Sequence, residues 1–338
     1  MITLLSKIFI KDNKNYSDAS VRSSYGVLCG AVGILLNVFL FAIKFFAGII
    51  SKSVAVTADA FNNLSDAGSS VIALFGFKLA SQKPDKDHPF GHGRFEYISG
   101  LFVSAAIIIM GVELVKTSFD KIINPETLTI TPIAFIILII SVAVKFYMSV
   151  YNKNIGRKIR SSAMEAISAD SLSDMLATSV VIISMLVSRF TSFQIDGYCG
   201  MAVAFFIIFA GFRSAKETIS PLLGQVPDKE FVSDIEKTVM SYPEIVGIHD
   251  LIVHDYGPGR VMISLHAEVD ENSNLLEIHD VIDNVEKHLS EKFGCNTVIH
   301  MDPVSTSDDT VKRLKNLMND FAKSEFGESS SIHDFRIV

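Results

Sequence analysis

The chain has 338 residues, 49% of them hydrophobic and 20% charged, with a mean hydropathy of +0.37. That is too apolar for an ordinary soluble domain and too charged for a disordered one, so apolar and polar residues must be segregated along the chain. The formal charge of −7 hides two bodies: residues 1–225 carry 20 Lys/Arg and 15 Asp/Glu, residues 226–338 carry 10 and 22, an acidic tail that argues against nucleic acid and for cations as partners.

The first 24 residues contain Lys7, Lys11, Lys14 and Arg22, without the basic-then-apolar order or small-residue cleavage site of a secretory signal. They are read as a cytosolic N-terminal segment before a retained first span. Apolar runs follow at about 25–50, 54–80, 95–118, 130–152, 163–188 and 194–215, each near the ~20 residues a helix needs to cross a bilayer core. An α-helical membrane protein with a six-helix transmembrane bundle over 25–215 is expected. The N-terminal segment and the 81–94 and 153–162 loops hold eleven Lys/Arg, whereas the opposite side holds four, so both termini are expected to be cytoplasmic. The expected location is the plasma membrane. Cys29, Cys199 and Cys295 are odd in number and far apart, no disulfide framework, which suits a reducing cytosol around the polar part.

Two of the apolar runs carry acids at helical spacing. Asn62 and Asp66 lie four apart, as do Asp170 and Asp174, and both segments end Leu-Ser-Asp. On a helix each pair shares one face, so two facing helices would bring four oxygen-bearing groups to one point. An ionised group inside a bilayer costs several kcal/mol and is kept only where it faces a cavity, a partner or an ion. Asp59, seven before Asp66, either faces the same way or marks the outer interface. Lys44 and Lys145 are expected to snorkel to water, which leaves a divalent cation as the counter-charge for the acids. Carboxylates that bind a cation must be deprotonated, so such a site exchanges metal for protons.

The tail, 226–304, reads as a helix (228–242), a strand (246–255), a Gly-Pro-Gly turn, a strand (260–270), a helix (275–293) and a strand (296–302), an α+β domain of αββαβ order. In the second strand Val261, Ile263, Leu265, Ala267 and Val269 face one way and His266 the other, while His300 and Asp302 share a face of the last strand. Residues 305–338 read as a helix (308–323) and a mobile end, where Ile332-His333-Asp334 echoes Ile248-His249-Asp250 like the start of a second, truncated copy of the tail domain.

These features together resemble the cation diffusion facilitator family, over about residues 25–304. The likeness rests on the paired acids, on the stretch His88-Pro89-Phe90-Gly91-His92-Gly93 and on the tail histidines. It implies a proton-coupled exporter of divalent transition metals, a metal cation:proton antiporter rather than an enzyme, acting as a homodimer with a ferredoxin-like cytosolic domain. It assigns Asn62, Asp66, Asp170 and Asp174 to the transport site, Asp85, His88 and His92 to a loop metal site, and His249, His266, His279, His300 and Asp302 to a metal site of the tail. Metal cations are then substrate and regulatory ligand, protons and the lipid bilayer the other partners, with no prosthetic group. The family's zinc carriers place a His among the four membrane donors. Here all four are oxygen donors, which suits Mn²⁺ and resembles the manganese-exporting branch. Zinc, iron(II) or cobalt(II) is the alternative cargo. The spacings of Asp85, His88 and His92 allow convergence in a helix or tight turn; otherwise they merely shape the loop. Arg94 and Glu96 are read as solvated interface residues, His254 and His288 as surface groups. An intramembrane aspartyl hydrolase would leave the tail histidines unexplained, and a cation channel would need a filter loop that the sequence does not repeat.

Overall fold

The computed structural model describes residues 2–16, 18–51, 54–124, 132–190, 196–305, 309–327 and 332. The chain divides into two compact units, Met1–Leu223 with Tyr256–Gly259, and Gly224–Asp255 with Arg260–Val338.

The first unit begins with a short helix, α1 (Ile2–Phe9), and continues through six long ones: α2 (Ala19–Ser51), α3 (Val54–Ala80), α4 (Phe95–Ile123), α5 (Pro132–Ile159), α6 (Ser162–Phe190) and α7 (Asp196–Leu222). Among the described residues, five of these helices contain an apolar stretch long enough to cross a membrane: α2, α4, α5, α6 and α7. The remaining long helix, α3, has 27 residues, and Asn62, Asn63, Ser65, Asp66, Ser69 and Ser70 dilute its apolar content. Leu35, Phe39, Phe102, Ile109, Phe205 and Phe209 are exposed, as bilayer-facing side chains should be. The sequence pattern gave no sign of α1, which is anchored by burial of Ile2 and Ile10 in the cluster around Tyr25, Cys29 and Met148 and by the Ile2 N–H donating to the Tyr147 hydroxyl at 3.2 Å.

Contacts run between α2 and α3, α4 and α7, α5 and α6, and, less extensively, α4 and α6 and α2 and α5. The α4–α7 pair is close because glycines from each helix accept side chains of the other. A Cβ on Gly111 would come within 2.7 Å of Ile208 Cγ1, and one on Gly211 within 2.7 Å of Ile108 Cγ1. Lipid tails offer no hydrophobic advantage to helix association, so close backbone approach of this kind supplies the packing. The Ser104 hydroxyl, 2.9 Å from that of Ser214, adds a polar tie. Glu96, expected to be solvated, is buried instead, 3.6 Å from the Arg22 guanidinium, whose Nε donates to the Ile159 carbonyl at 2.6 Å. The ion pair joins the ends of α2 and α4 and the hydrogen bond adds the end of α5, and the pair can be buried because each charge has the other to replace its water.

The second unit holds α8 (Lys229–Val239), β1 (Ile245–Asp255), β2 (Val261–Asp270), α9 (Leu275–Phe293), β3 (Asn296–Val304) and α10 (Asp309–Phe326). This is the expected αββαβ order followed by a helix. The sheet order is β1-β2-β3, antiparallel for the first pair and parallel for the second. The parallel pair requires a crossover, which α9 supplies. Asn274 caps α9 by accepting from the Leu276 N–H at 3.0 Å, and Gly294 ends it at φ 63°, a left-handed position that favours glycine. Ile235, Val239, Ile263, Leu265, Val285, Leu289 and Ile299 close the core between the helices and one face of the sheet. The echo at 332–338 lies, apart from Ile332, outside the described residues, as does the side chain of Asp59.

Because Gly211 faces an isoleucine across a closed seam, Gly211→Val should destabilise the membrane unit by about 1–3 kcal/mol through overpacking. The check is thermal unfolding of the detergent-solubilised protein, and a midpoint equal to that of the parent would show that the seam yields without cost.

Candidate functional site

Three clusters of ligand-type side chains occur among the described residues. The first lies within the helical unit, where Asp66 on α3 and Asp170 and Asp174 on α6 bring carboxylate oxygens within 4.8 Å of one another. Asp66 is 8% exposed and Asp170 5%. The four-residue step from Asp170 to Asp174 stacks both acids on one face of α6, and Asp66 meets them from α3. Asn62 does not share their burial: its side chain is exposed, whereas Asn63 is buried. The buried stripe of α3 runs Ala60, Asn63, Asp66, Ala67, Ser70, so Asn62 falls on its edge.

Lys145 overturns the expectation that it snorkels to water. Its ammonium is buried, 2.6 Å from Asp66 Oδ2 and 2.5 Å from Asp174 Oδ2. The reason is position: Lys145 lies halfway along the 28 residues of α5, about 20 Å from either end at 1.5 Å per residue, beyond a lysine's reach. Ser149, one turn on, donates or accepts at 3.2 Å from the Ser168 hydroxyl, and Ser168 donates to the Ser149 carbonyl at 2.9 Å. These bonds fix α5 against α6 beside the acids. Lys44 on α2 is likewise buried rather than snorkelled.

The second cluster is the 81–94 loop. Asp85 Oδ1 accepts from the backbone N–H groups of Asp87 at 3.0 Å and His88 at 2.7 Å, which bends the chain into a side-chain-closed turn. Gly91, at φ 82°, continues the reversal. His88 Nδ1 then lies 3.5 Å from Asp85 Oδ1 and His92 Nε2 3.4 Å from Asp85 Oδ2. The expected convergence occurs, through a tight turn rather than a helix. The His88 backbone N–H holds the Asp85 carboxyl below the usual carboxylate range, assisted by the two imidazoles.

The third cluster is on the open face of the tail sheet. Register aligns His249 of β1 with His266 of β2, and His266 with His300 of β3, so three histidines form one row across three strands. A bulge makes the first pairing: between the His249–His266 and Ile252–Ser264 pairs, β1 has two residues where β2 has one, and Asp250 adopts φ 49°. Asp302, two residues beyond His300, lies 3.1 Å from His249 Nε2, 2.8 Å from His266 Nδ1 and 3.3 Å from His300 Nε2. A carboxylate shared by three imidazoles is a donor set of the kind divalent transition metals accept. His279 stands apart, exposed on α9 and 3.7 Å from Asp283. Glu268, on the same face as His266, is buried near Lys315 of α10 at 3.4 Å. Strand alternation alone leaves it facing out, and the lysine that meets it, 47 residues on, is what a strand pattern does not contain.

Residues 31–223 match the cation efflux transmembrane domain, and residues 227–304 the cytoplasmic domain of cation efflux proteins. The chain is 32% identical over 250 residues to an uncharacterized transporter, MJ0449, of Methanocaldococcus jannaschii, covering 74% of this chain and 88% of that protein. It is 27% identical over 289 residues to the cation-efflux pump FieF of Klebsiella pneumoniae, covering 84% of this chain and 96% of the pump, and to the same degree to FieF of Escherichia coli. A transmembrane match over more than half the chain, continued by the cytoplasmic domain that accompanies it, makes this protein a member of the cation diffusion facilitator family of cation-efflux transporters.

Proposed function

We propose that the protein exports Mn²⁺ in exchange for protons, as a homodimer in the plasma membrane with both termini in the cytoplasm. The observation that carries this reading is the meeting of Asp66, Asp170 and Asp174 inside the helical unit. The donors are all carboxylate oxygens, and Asn62, one turn before Asp66, adds a fourth oxygen in this reading. Hard oxygen donors favour Mn²⁺, while the imidazole that Zn²⁺ prefers is lacking from the membrane set. Proton coupling follows from the same chemistry, since carboxylates release protons to take up a cation and regain them when it leaves. Export is the direction suggested by the relative FieF, a cation-efflux pump.

The homodimer is supported by the tail. Its open sheet face exposes Ile252 and Val298 beside His266 and His300, an apolar surface with polar ligands that a second copy would cover. Metal held by His249, His266, His300 and Asp302 would then link cytosolic metal to association. The Asp85, His88 and His92 turn is a further cytosolic site, and His279 belongs to the tail set only if α9 or a partner approaches.

Asp174→Ala should abolish metal-driven proton movement in proteoliposomes while the protein still inserts and elutes as the parent does; full transport would overturn the assignment. Replacing His266 and His300 by Ala together should lower the metal affinity of the tail by at least about tenfold, the scale on which even outer partners of metal sites act, and reduce transport at limiting metal without abolishing it. Calorimetry with unchanged stoichiometry and affinity would remove the tail from the metal-binding scheme. Asn62→His should raise the ratio of zinc to manganese transport, and a parent that already prefers zinc would end the manganese reading.

A further inference from the structure

We propose that Lys145 is a tethered rival of the transported cation, an ammonium that occupies the metal position between Asp66 and Asp174 and must be displaced for metal to bind. The inference rests on these acids being the transport site. Lys145 Nζ lies 2.6 Å and 2.5 Å from one oxygen of each acid, so the ammonium fills the space that a cation held by both acids would take. The same two oxygens cannot serve an ammonium and a metal at once. The Lys145 side chain is 3% exposed, so no alternative position in water competes for it, and its backbone is fixed in α5 by the Ser149–Ser168 bonds. A competitor on a short tether acts at an effective concentration that a free ion does not match, so the apparent metal affinity is the intrinsic one reduced by the fraction of time the acids are free of Lys145.

The charge count gives this arrangement a purpose. With the acids deprotonated, as metal binding requires, three carboxylates and one ammonium carry −2, and one divalent cation brings the cluster to neutrality. With no lysine the loaded site would keep a charge of −1 inside a low-dielectric environment. Lys145 thus favours divalent over monovalent cargo, prevents the acids from holding metal too tightly to release it, and refills the gap as metal leaves. It is a positioning residue for the acids and sets specificity through charge.

The experiment is Mn²⁺ transport by the full-length protein in proteoliposomes, with KM and kcat measured separately for Lys145→Gln, Lys145→Arg and Asp174→Asn. Lys145→Gln removes the rival charge and should lower KM by about fivefold or more, with a lower kcat because release slows. Lys145→Arg keeps the charge and adds a two-pronged donor that grips the carboxylates harder, so KM should rise with kcat retained. A merely structural lysine would raise KM in both variants. An unchanged or raised KM in Lys145→Gln overturns the proposal; should that variant not fold, an unchanged or lowered KM in Lys145→Arg does so instead. Asp174→Asn separates the two readings: if it transports as the parent does, the transport site itself is misassigned, whatever the lysine variants do.

Discussion

A charge inside a bilayer survives only beside its opposite, and the helical unit is organised around that constraint. Asp66, Asp170, Asp174 and Lys145 come from three helices, α3, α6 and α5, and meet their counter-charges across helices, the ammonium of α5 lying between the acids of α3 and α6. Their mutual proximity therefore requires the three helices to stay in contact at that depth. Much of the surrounding packing serves this requirement. The Ser149–Ser168 pair ties α5 to α6, the α4–α7 seam closes through reciprocal glycine and isoleucine contacts, and Arg22 with Glu96 repeats the principle of paired charges at the ends of α2 and α4. The buried charges of the helical unit are thus placed by partners on other helices, while apolar side chains such as Val103, Ile107 and Ile207 fill its core and others face outward.

The parts of this arrangement that depend on local pattern were legible in the sequence. The long apolar runs announced the helices, and the four-residue step between Asp170 and Asp174 announced a shared face. The tail's alternation separated Leu265 from His266 before any contact was known, and α9 begins at Leu275 and ends at Phe293 as its flanking Asn274 and Gly294 imply. What stayed hidden depends on neighbours. Lys145 and a snorkelling lysine look alike in sequence; only the acids on α3 and α6 draw it inward. Asn62 and Asn63 differ by about 100° around a helix, and which of them is buried is decided by what packs against α3, not by spacing from Asp66. Glu96 reads as an exposed acid until Arg22, 74 positions earlier, is seen to reach it. The first helix is too short for its apolar spacing to stand out, and only burial of Ile2 and Ile10 against later helices gives it a reason to form.

The row of histidines in the tail has a consequence for the order in which the domain is made. His249, His266 and His300 share one line only because β1 contains its bulge at Asp250 and because β3 enters beside β2 in parallel, after the α9 crossover. Asp302, which touches all three imidazoles, belongs to the last strand of the sheet. During synthesis the first two strands can pair as a hairpin, yet they present only two imidazoles and no shared carboxylate until the final strand has emerged and threaded into place. A chain cut short before β3 would keep the aligned His249 and His266 and lack both the third imidazole and the carboxylate that joins them. The acid that joins the three imidazoles thus arrives only with the last strand, and a nascent or truncated copy lacks it.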